Sequence, residues 1–220
     1  MSVKNILVIG ATGGSGRQTV YALRHRGHQV TALSRKASAQ FRPPVRTIDG
    51  SALHQATLRK AIQGQDAVII TLGISENPFR VRLLGPKNTP LNIRSTGTQA
   101  VIRVMQELGV KRLIVQTTFG SGPSKQLLRT VDRLFFDWVL KPQIADTDQQ
   151  DQLVRNSGLD WTIVQPVHLS DRTDDDHELL ASTQLNVGQW NISRQLVGTF
   201  HAQALDNDTT IGQTVALSAV

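Results

Sequence analysis

The chain opens on an apolar, largely β-branched run at residues 3–9 that is too short for a helix and predicts a buried strand. Residues 15–25 then place Val20, Ala22 and Leu23 on one side of a helix, and Gly27 stops the pattern. The alternation repeats. Strands are expected at 29–33, 45–48, 67–72, 112–116 and 161–164. Helices are expected at 53–63, 91–108 and 146–156, with Gly64, Gly109 and Gly158 as their stop signals. Residues 37–44 read as a loop closed by Pro43 and Pro44. Parallel neighbours need crossovers, and crossovers are right-handed, so the rhythm predicts an α/β fold with a single doubly wound parallel sheet. After Pro166 the rhythm loosens. A polar, acidic segment (SDRTDDDHELLASTQ) precedes a strand at 189–192, a helix at 193–205 and a last strand at 214–217. No repeat or long linker divides the chain. It is expected to be one domain over 1–220, with 167–220 forming a small cap on the substrate side and the last strand.

Between the first strand and the first helix stands GATGGSG, with Gly10, Gly13 and Gly16 spaced three apart and Thr12, Gly14 and Ser15 filling the turn. Glycine there admits positive φ and lets a phosphate approach the backbone. The following helix aims free N–H groups and its positive dipole end at that anion. A Walker loop is excluded, because no Lys-Ser/Thr follows a glycine at the required spacing. A glycine pattern alone is weak evidence. Placed after a strand, before a helix and inside a βαβ unit, it points to a Rossmann-type dinucleotide site. An NAD site puts an acid at the end of the second strand for the ribose hydroxyl. This chain has Ser34, Arg35 and Lys36 there. An arginine can grip a 2′-phosphate bidentately, so the expected cofactor is NADP(H).

Charge sharpens that reading. The net charge is +7, from 24 Lys and Arg against 17 Asp and Glu. Eight bases and no acid precede Asp49, so the remainder holds 16 bases and 17 acids and is close to neutral. A solvated arginine surface accounts for some of these bases but not for the missing acids. The excess sits with the glycine turn, and specific nucleic-acid binding is not expected. No cysteine is present, which excludes disulfide and thiolate chemistry. The six histidines show no metal-ligand spacing, so no metal site is expected. No stretch approaches the roughly 20 apolar residues of a membrane span. The first residues lack the pattern of a secretory signal. The expectation is a cytoplasmic monomer or small homo-oligomer that acts on a small molecule.

GATGGSGRQ, IQGQDAVIITLG, GVKRLIVQTT, VRNSGLDWTIVQPVHLSD and NISRQLVG together resemble the NmrA-like, NAD(P)H-binding group of atypical short-chain dehydrogenases. Within that group the chain is most similar to the flavin reductases, also called biliverdin-IXβ reductases. The likeness runs from about residue 3 to 218. It implies NADP(H) on the glycine turn, with Arg17, Ser34 and Arg35 near the adenosine phosphates. It implies Leu72 and Gly73 beside the cofactor ribose. Gly50 and Ser51 fall where many members carry Gly-Asp facing the adenine, and Ser51 departs from that pattern. By the same resemblance a hydroxyl after strand five and a histidine after strand six flank the nicotinamide. Here these are Thr118, with Thr117 beside it, and His168, two residues after Pro166.

The best-known short-chain dehydrogenases move a proton with a Tyr-x-x-x-Lys pair. The single tyrosine, Tyr21, is followed by Ala-Leu-Arg-His, and Asp137 stands four residues before Lys141, so that pair is absent. Thr118 and His168 are the candidates for catalysis, since hydride transfer rests mainly on proximity and orientation and histidine can carry a proton near neutrality. Both equally fit ordinary strand-end residues that frame a cofactor. Candidate walls for the acceptor are residues 74–90, Phe119 and the aromatic run 134–138, which equally suits a helix packed on the core. Two functions fit: an NADPH-dependent reductase of a flat conjugated acceptor such as a flavin or quinone, and a non-catalytic NADP(H)-sensing regulator of the NmrA type. A sugar-nucleotide epimerase is a distant third, because it needs the tyrosine.

Overall fold

Strand β1 (Asn5–Ile9) is buried from Ile6 onward. Its alternate residues serve two cores. Ile6 and Val8 pack on one face of the sheet, Leu7 and Ile9 on the other. A strand covered on both faces has no solvent side, which is why its sequence is continuously apolar. The computed structural model describes residues 2–74, 76, 78–87, 89–135, 138, 140–172 and 177–220. Its other strands are β2 (Gln29–Ser34), β3 (Arg46–Asp49), β4 (Ala67–Ile70), β5 (Arg112–Gln116), β6 (Asp160–Pro166), β7 (His168–Ser170), β8 (Leu179–Ser182), β9 (Asn191–Ser193) and β10 (Gln213–Ala219). Eight of them form one sheet in the order β3-β2-β1-β4-β5-β6-β10-β8, and β7 pairs with β9 separately. All neighbours in the large sheet run parallel except β8, which lies antiparallel on β10.

The helices are α1 (Gly14–His25), α2 (Ala37–Gln40), α3 (Gln55–Ile62), α4 (Pro78–Leu84), α5 (Ile93–Leu108), α6 (Thr130–Phe135), α7 (Lys141–Arg155) and α8 (Arg194–Ala204). Val20 and Leu23 of α1 share one core with Val197 and Phe200 of α8. Leu58 of α3, Met105 of α5 and Val154 of α7 share the other. The α/β fold with a doubly wound sheet is therefore as expected. The strand order reverses between β1 and β4, and the carboxyl ends of the strands open a crevice at that point. No helix of the described residues is long and apolar enough to cross a membrane.

Several local expectations are corrected. The edge strand β8 forms inside the segment read as polar, because two leucines are too short a run to announce a strand. Residues 37–40, expected in a loop, make the one-turn α2. Helix α4 occupies part of the expected loop 74–90. Helix α7 starts at Lys141 rather than 146, with a proline in its first turn, where the missing N–H is harmless.

Helices α1 and α8 lie in close register. Gly14 faces Arg194, and Gly198 faces Gln18 and Thr19, so the two helices run parallel with their N-termini at the same end. A Cβ on Gly198 would stand 2.6 Å from the carbonyl carbon of Gln18 and 2.8 Å from the amide nitrogen of Thr19. One turn further, Thr19 donates its hydroxyl to the Ser15 carbonyl (2.9 Å) and lies 2.8 Å from His201 Nδ1. With its hydrogen committed, that oxygen accepts from an Nδ1–H. His201 is fully buried, and burial pushes its imidazole down to about 3.

Two outcomes follow from this contact. Gly198→Ala should lower stability by about 1–3 kcal/mol, the range for overpacking, as read from the denaturant midpoint. His201 adds pH dependence. Its folded pKa is depressed, so below about 6.5 the unfolded chain takes up a proton that the folded chain refuses. Compared with His201→Gln, the wild type should lose stability as pH falls from about 6.5 towards about 3, by up to about 1.4 kcal/mol per pH unit. Parallel stability curves for the two proteins would show that the buried ring is not neutral.

Candidate active site

The turn after β1 has no spare volume. Gly10 sits at φ +80°, and a Cβ there would lie 2.7 Å from the Thr71 carbonyl oxygen at the end of β4. A Cβ on Gly16 would lie 2.3 Å from the Gly10 carbonyl oxygen. Gly13 precedes α1 without a side-chain cap, and no acid occupies the first helical turn, so the helix presents its free N–H groups outward. In front of the turn lies a cleft of about 390 Å³. Gly10, Thr12, Gly13 and Gly14 form one side of it, Ser34 and Arg35 its end towards β2. Gly50, Ser51, Leu72 and Gly73 complete the predicted residues that line it. Thr89 and Pro90, the end of the segment expected to wall the acceptor, line it too, as does Ile93, which was not expected.

The remaining candidates lie elsewhere. Ser15, Gly16 and Arg17 belong to the first turn of α1 and do not line the cleft. Thr117, Thr118, Pro166 and His168 stand at the carboxyl ends of β5 and β6, further along the same edge of the sheet.

Electrostatically the cleft suits an anion. The Ser34 hydroxyl oxygen is buried without a hydrogen-bond partner. Arg35 is exposed and reaches Thr89 Oγ1 at 3.5 Å. The nearest acid in sequence, Asp49, is turned away. Its carboxylate accepts from the Ser38 hydroxyl and from the Ser38 N–H (2.8 Å), which hold its pKa below the ordinary range. Asp49 thus braces the small helix α2 and leaves the end of β2 to a serine and an arginine. A glycine cradle that any Cβ would fill, an unpartnered buried hydroxyl and a cationic rim together fit a dinucleotide carrying an additional phosphate.

The far wall is held by residues that sequence reasoning missed. Asp146 of α7 accepts from the backbone N–H groups of Arg94 (3.0 Å) and Ser95 (3.1 Å), and from the Ser95 hydroxyl, at the start of α5. A carboxylate there satisfies free helix donors and the helix dipole. Arg94 in turn donates to the Leu72 carbonyl at 3.0 Å and packs beneath Gly73. No local motif announces this, because the carboxylate comes from another helix.

At the ends of β5 and β6 several buried polar groups meet. Thr117 is buried and donates its N–H to Val164 (2.8 Å). Thr118 is half-buried, and its carbonyl accepts from the Ser121 hydroxyl at 2.9 Å. Gln165 donates to Asp151 Oδ2 at 3.2 Å. Burial pushes the Asp151 carboxyl up to about 6, against the opposing pull of Arg155 and Ser121. His168 is partly exposed, and its Nε2 lies 3.0 Å from Asp132 Oδ1. Asp132 belongs to α6 and was not anticipated. Phe119, expected as a wall, is buried with its ring edge-to-face on Trp190 at 5.6 Å. Of the aromatic run 134–138, Phe136 and Asp137 lie outside the described residues, as do Ser75, Asn77 and Asn88 of the other expected wall. Trp138 is exposed. Tyr21 sits on the outer face of α1 against Phe41.

Residues 10–208 match the model of a protein family described as NAD(P)H-binding. The chain is 25% identical over 217 residues to sterol demethylase protein B of Methylococcus capsulatus, covering 88% of this chain and 60% of that protein. It is 30% identical over 128 residues to the 3-diazoavenalumate denitrifying reductase of a Streptomyces species, covering 54% and 39%. The chain thus spans less than two thirds of the length of either curated relative. Among solved structures it is similar to a Rossmann-fold NAD(P)-binding family protein from Shigella flexneri, with a TM-score of 0.70, 25% identity and coverage of 99% and 94%. With the match extending from the first glycine of the turn into the last connection before β10, the chain belongs to the NAD(P)H-binding family.

Proposed function

We propose that the chain is an NADPH-dependent reductase that transfers hydride to a flat conjugated acceptor such as a flavin or a quinone. The observation that carries the cofactor preference is the end of β2, where Ser34 and Arg35 face the cleft while Asp49 is bound to Ser38. The Streptomyces relative is named a reductase, which supports the reaction class. The lack of cysteine suits a reducing, cytoplasmic compartment.

A reduced nicotinamide, when bound, supplies the hydride. The chain's own residues do the rest. The free N–H groups at the start of α1 receive the diphosphate, and Arg35 with the Ser34 hydroxyl receives the additional phosphate. Leu72 and Gly73, braced by Arg94, border the ribose. Thr118 and His168 stand at adjacent strand ends, where an acceptor over the nicotinamide would meet them. An acceptor that gains a hydride must also gain a proton, and the His168 imidazole can donate or relay it. Tyrosine has no part in this scheme.

Titration of both cofactors should give NADPH at least about tenfold tighter binding than NADH, about 1.4 kcal/mol. Arg35→Ala should remove most of that preference, and equal affinities in the wild type would rule out the phosphate site.

Steady-state kinetics with a panel of flavins, quinones and aldehydes tests the chemistry. If His168 moves the proton, His168→Ala should lower kcat by about 10²–10⁴ with NADPH affinity nearly constant. Thr118→Val should have a milder effect, near the 0.5–1.5 kcal/mol of one neutral hydrogen bond, or roughly two- to twelvefold. No NADPH oxidation with any acceptor, together with a protein partner captured only when the cofactor is bound, would instead establish the regulator.

A further inference from the structure

The His168 side chain belongs to a closed loop of contacts. Its backbone N–H donates to the Trp190 carbonyl at 3.2 Å, which joins β7 to the start of β9. Its ring Nε2 lies 3.0 Å from Asp132 Oδ1. The second Asp132 oxygen accepts from Arg129 Nε at 2.6 Å. The Arg129 guanidinium lies 4.2 Å over the Trp190 ring, which returns the path to its beginning. Trp190 is steadied in turn by the buried Phe119, whose own N–H donates to the Pro166 carbonyl (2.9 Å) just before His168. Four residues from three separate segments of the chain therefore hold one imidazole, directly or through one another, from both its backbone and its ring.

Burial makes Asp132 notable. It is only 7% exposed, whereas the His168 side chain is 46% exposed and Arg129 is half-exposed. A carboxylate is buried at a cost unless it is paired, and here both oxygens are paired. The bond from Arg129, then that from His168, holds the Asp132 carboxyl below its ordinary range. Ionised, it can only accept hydrogen bonds, so Nε2 must carry the hydrogen. The neutral ring then turns Nδ1 outward as an acceptor, and the protonated ring turns Nδ1–H outward as a donor.

We propose that Asp132 is a positioning residue: it fixes the tautomer and ring plane of His168, so that Nδ1 is the atom offered to the acceptor. The proposal rests on the reading of His168 as the acceptor-side proton carrier. The proton that accompanies the hydride leaves from Nδ1–H to the acceptor and is replaced from solvent through the exposed edge of the ring. Arg129 acts one step behind, by holding the carboxylate in place, with Trp190 as its platform.

The ring can be read directly by long-range ¹⁵N–¹H NMR of histidine-labelled protein, with the cofactor absent and the imidazole neutral. The wild type should show the Nε2–H tautomer for His168, and Asp132→Asn should populate the Nδ1–H form. In steady-state kinetics Asp132→Asn should lower kcat at least about tenfold, equivalent to about 1.4 kcal/mol, with NADPH affinity unchanged. In a His168→Ala background the same substitution should change kcat less than about twofold, because the two act as one unit. Should Asp132→Asn fold poorly, Arg129→Gln changes a half-exposed side chain and should give a smaller loss with the same dependence on His168. An Nδ1–H tautomer in the wild type would overturn the proposal. So would equal losses in both backgrounds, which would make Asp132 an anchor for α6 only. Full activity of His168→Ala would sink the reading of His168 itself, and this proposal with it. A large loss in His168→Ala with an unchanged tautomer in Asp132→Asn would sink this proposal alone.

Discussion

The structure depends on a crowded junction where β1 turns into α1. Backbone from β4 presses on Gly10, the Gly10 carbonyl presses on Gly16, and the Arg194 side chain of α8 presses on Gly14. At Gly10 and Gly16 the neighbour is backbone, so neither has room for a Cβ, and an expanded turn would part β1 from β4. No side-chain hydrogen bond caps the α1 terminus, so its donors stay available. Packing and ligand binding thus draw on the same glycines. Gly198 extends the constraint along α8, so the segment after Pro166 is pinned to the first helix through backbone contact and through the buried Thr19–His201 bond.

That linkage explains what was legible in the amino-acid sequence. The central strands were readable because burial on both faces leaves continuous apolar runs such as ILVI and AVII. The glycine turn was readable because it stands after a strand, before a helix and inside a βαβ unit. Ser34 and Arg35 were readable by the lack of an acid, and the structure adds where the first acid went: Asp49 is bonded to Ser38. Other elements left no such trace. Strand β8 has two leucines in a polar segment, and α4 and α6 are short helices whose sequences also suit loops. The polar partners were the least legible. Asp146 reaches α5 from α7, and Asp132 reaches β7 from α6. Such pairs span tens of residues, and no local spacing encodes them.

The two ends of the site follow different electrostatic designs. The cofactor end presents uncapped helix donors and Arg35 at an exposed rim. The end proposed for the acceptor balances its charges: Arg129 against Asp132, Arg155 against Asp151. Exposed donors favour capture of an anion from solution, whereas a balanced, hydrogen-bonded cluster fixes the direction in which one titratable ring points. The proposed reductase needs both: a cofactor that is exchanged, and a proton carrier that stays in place.

The most direct measurement is a crystal structure of the chain with NADP⁺ bound. Density for the diphosphate should lie on the N–H groups of residues 14–16, with the 2′-phosphate within hydrogen-bond reach of Ser34 and Arg35 and the nicotinamide towards Thr118 and His168. A dinucleotide seated elsewhere on the sheet edge would contradict this account, as would one whose ribose is met by Asp49 released from Ser38.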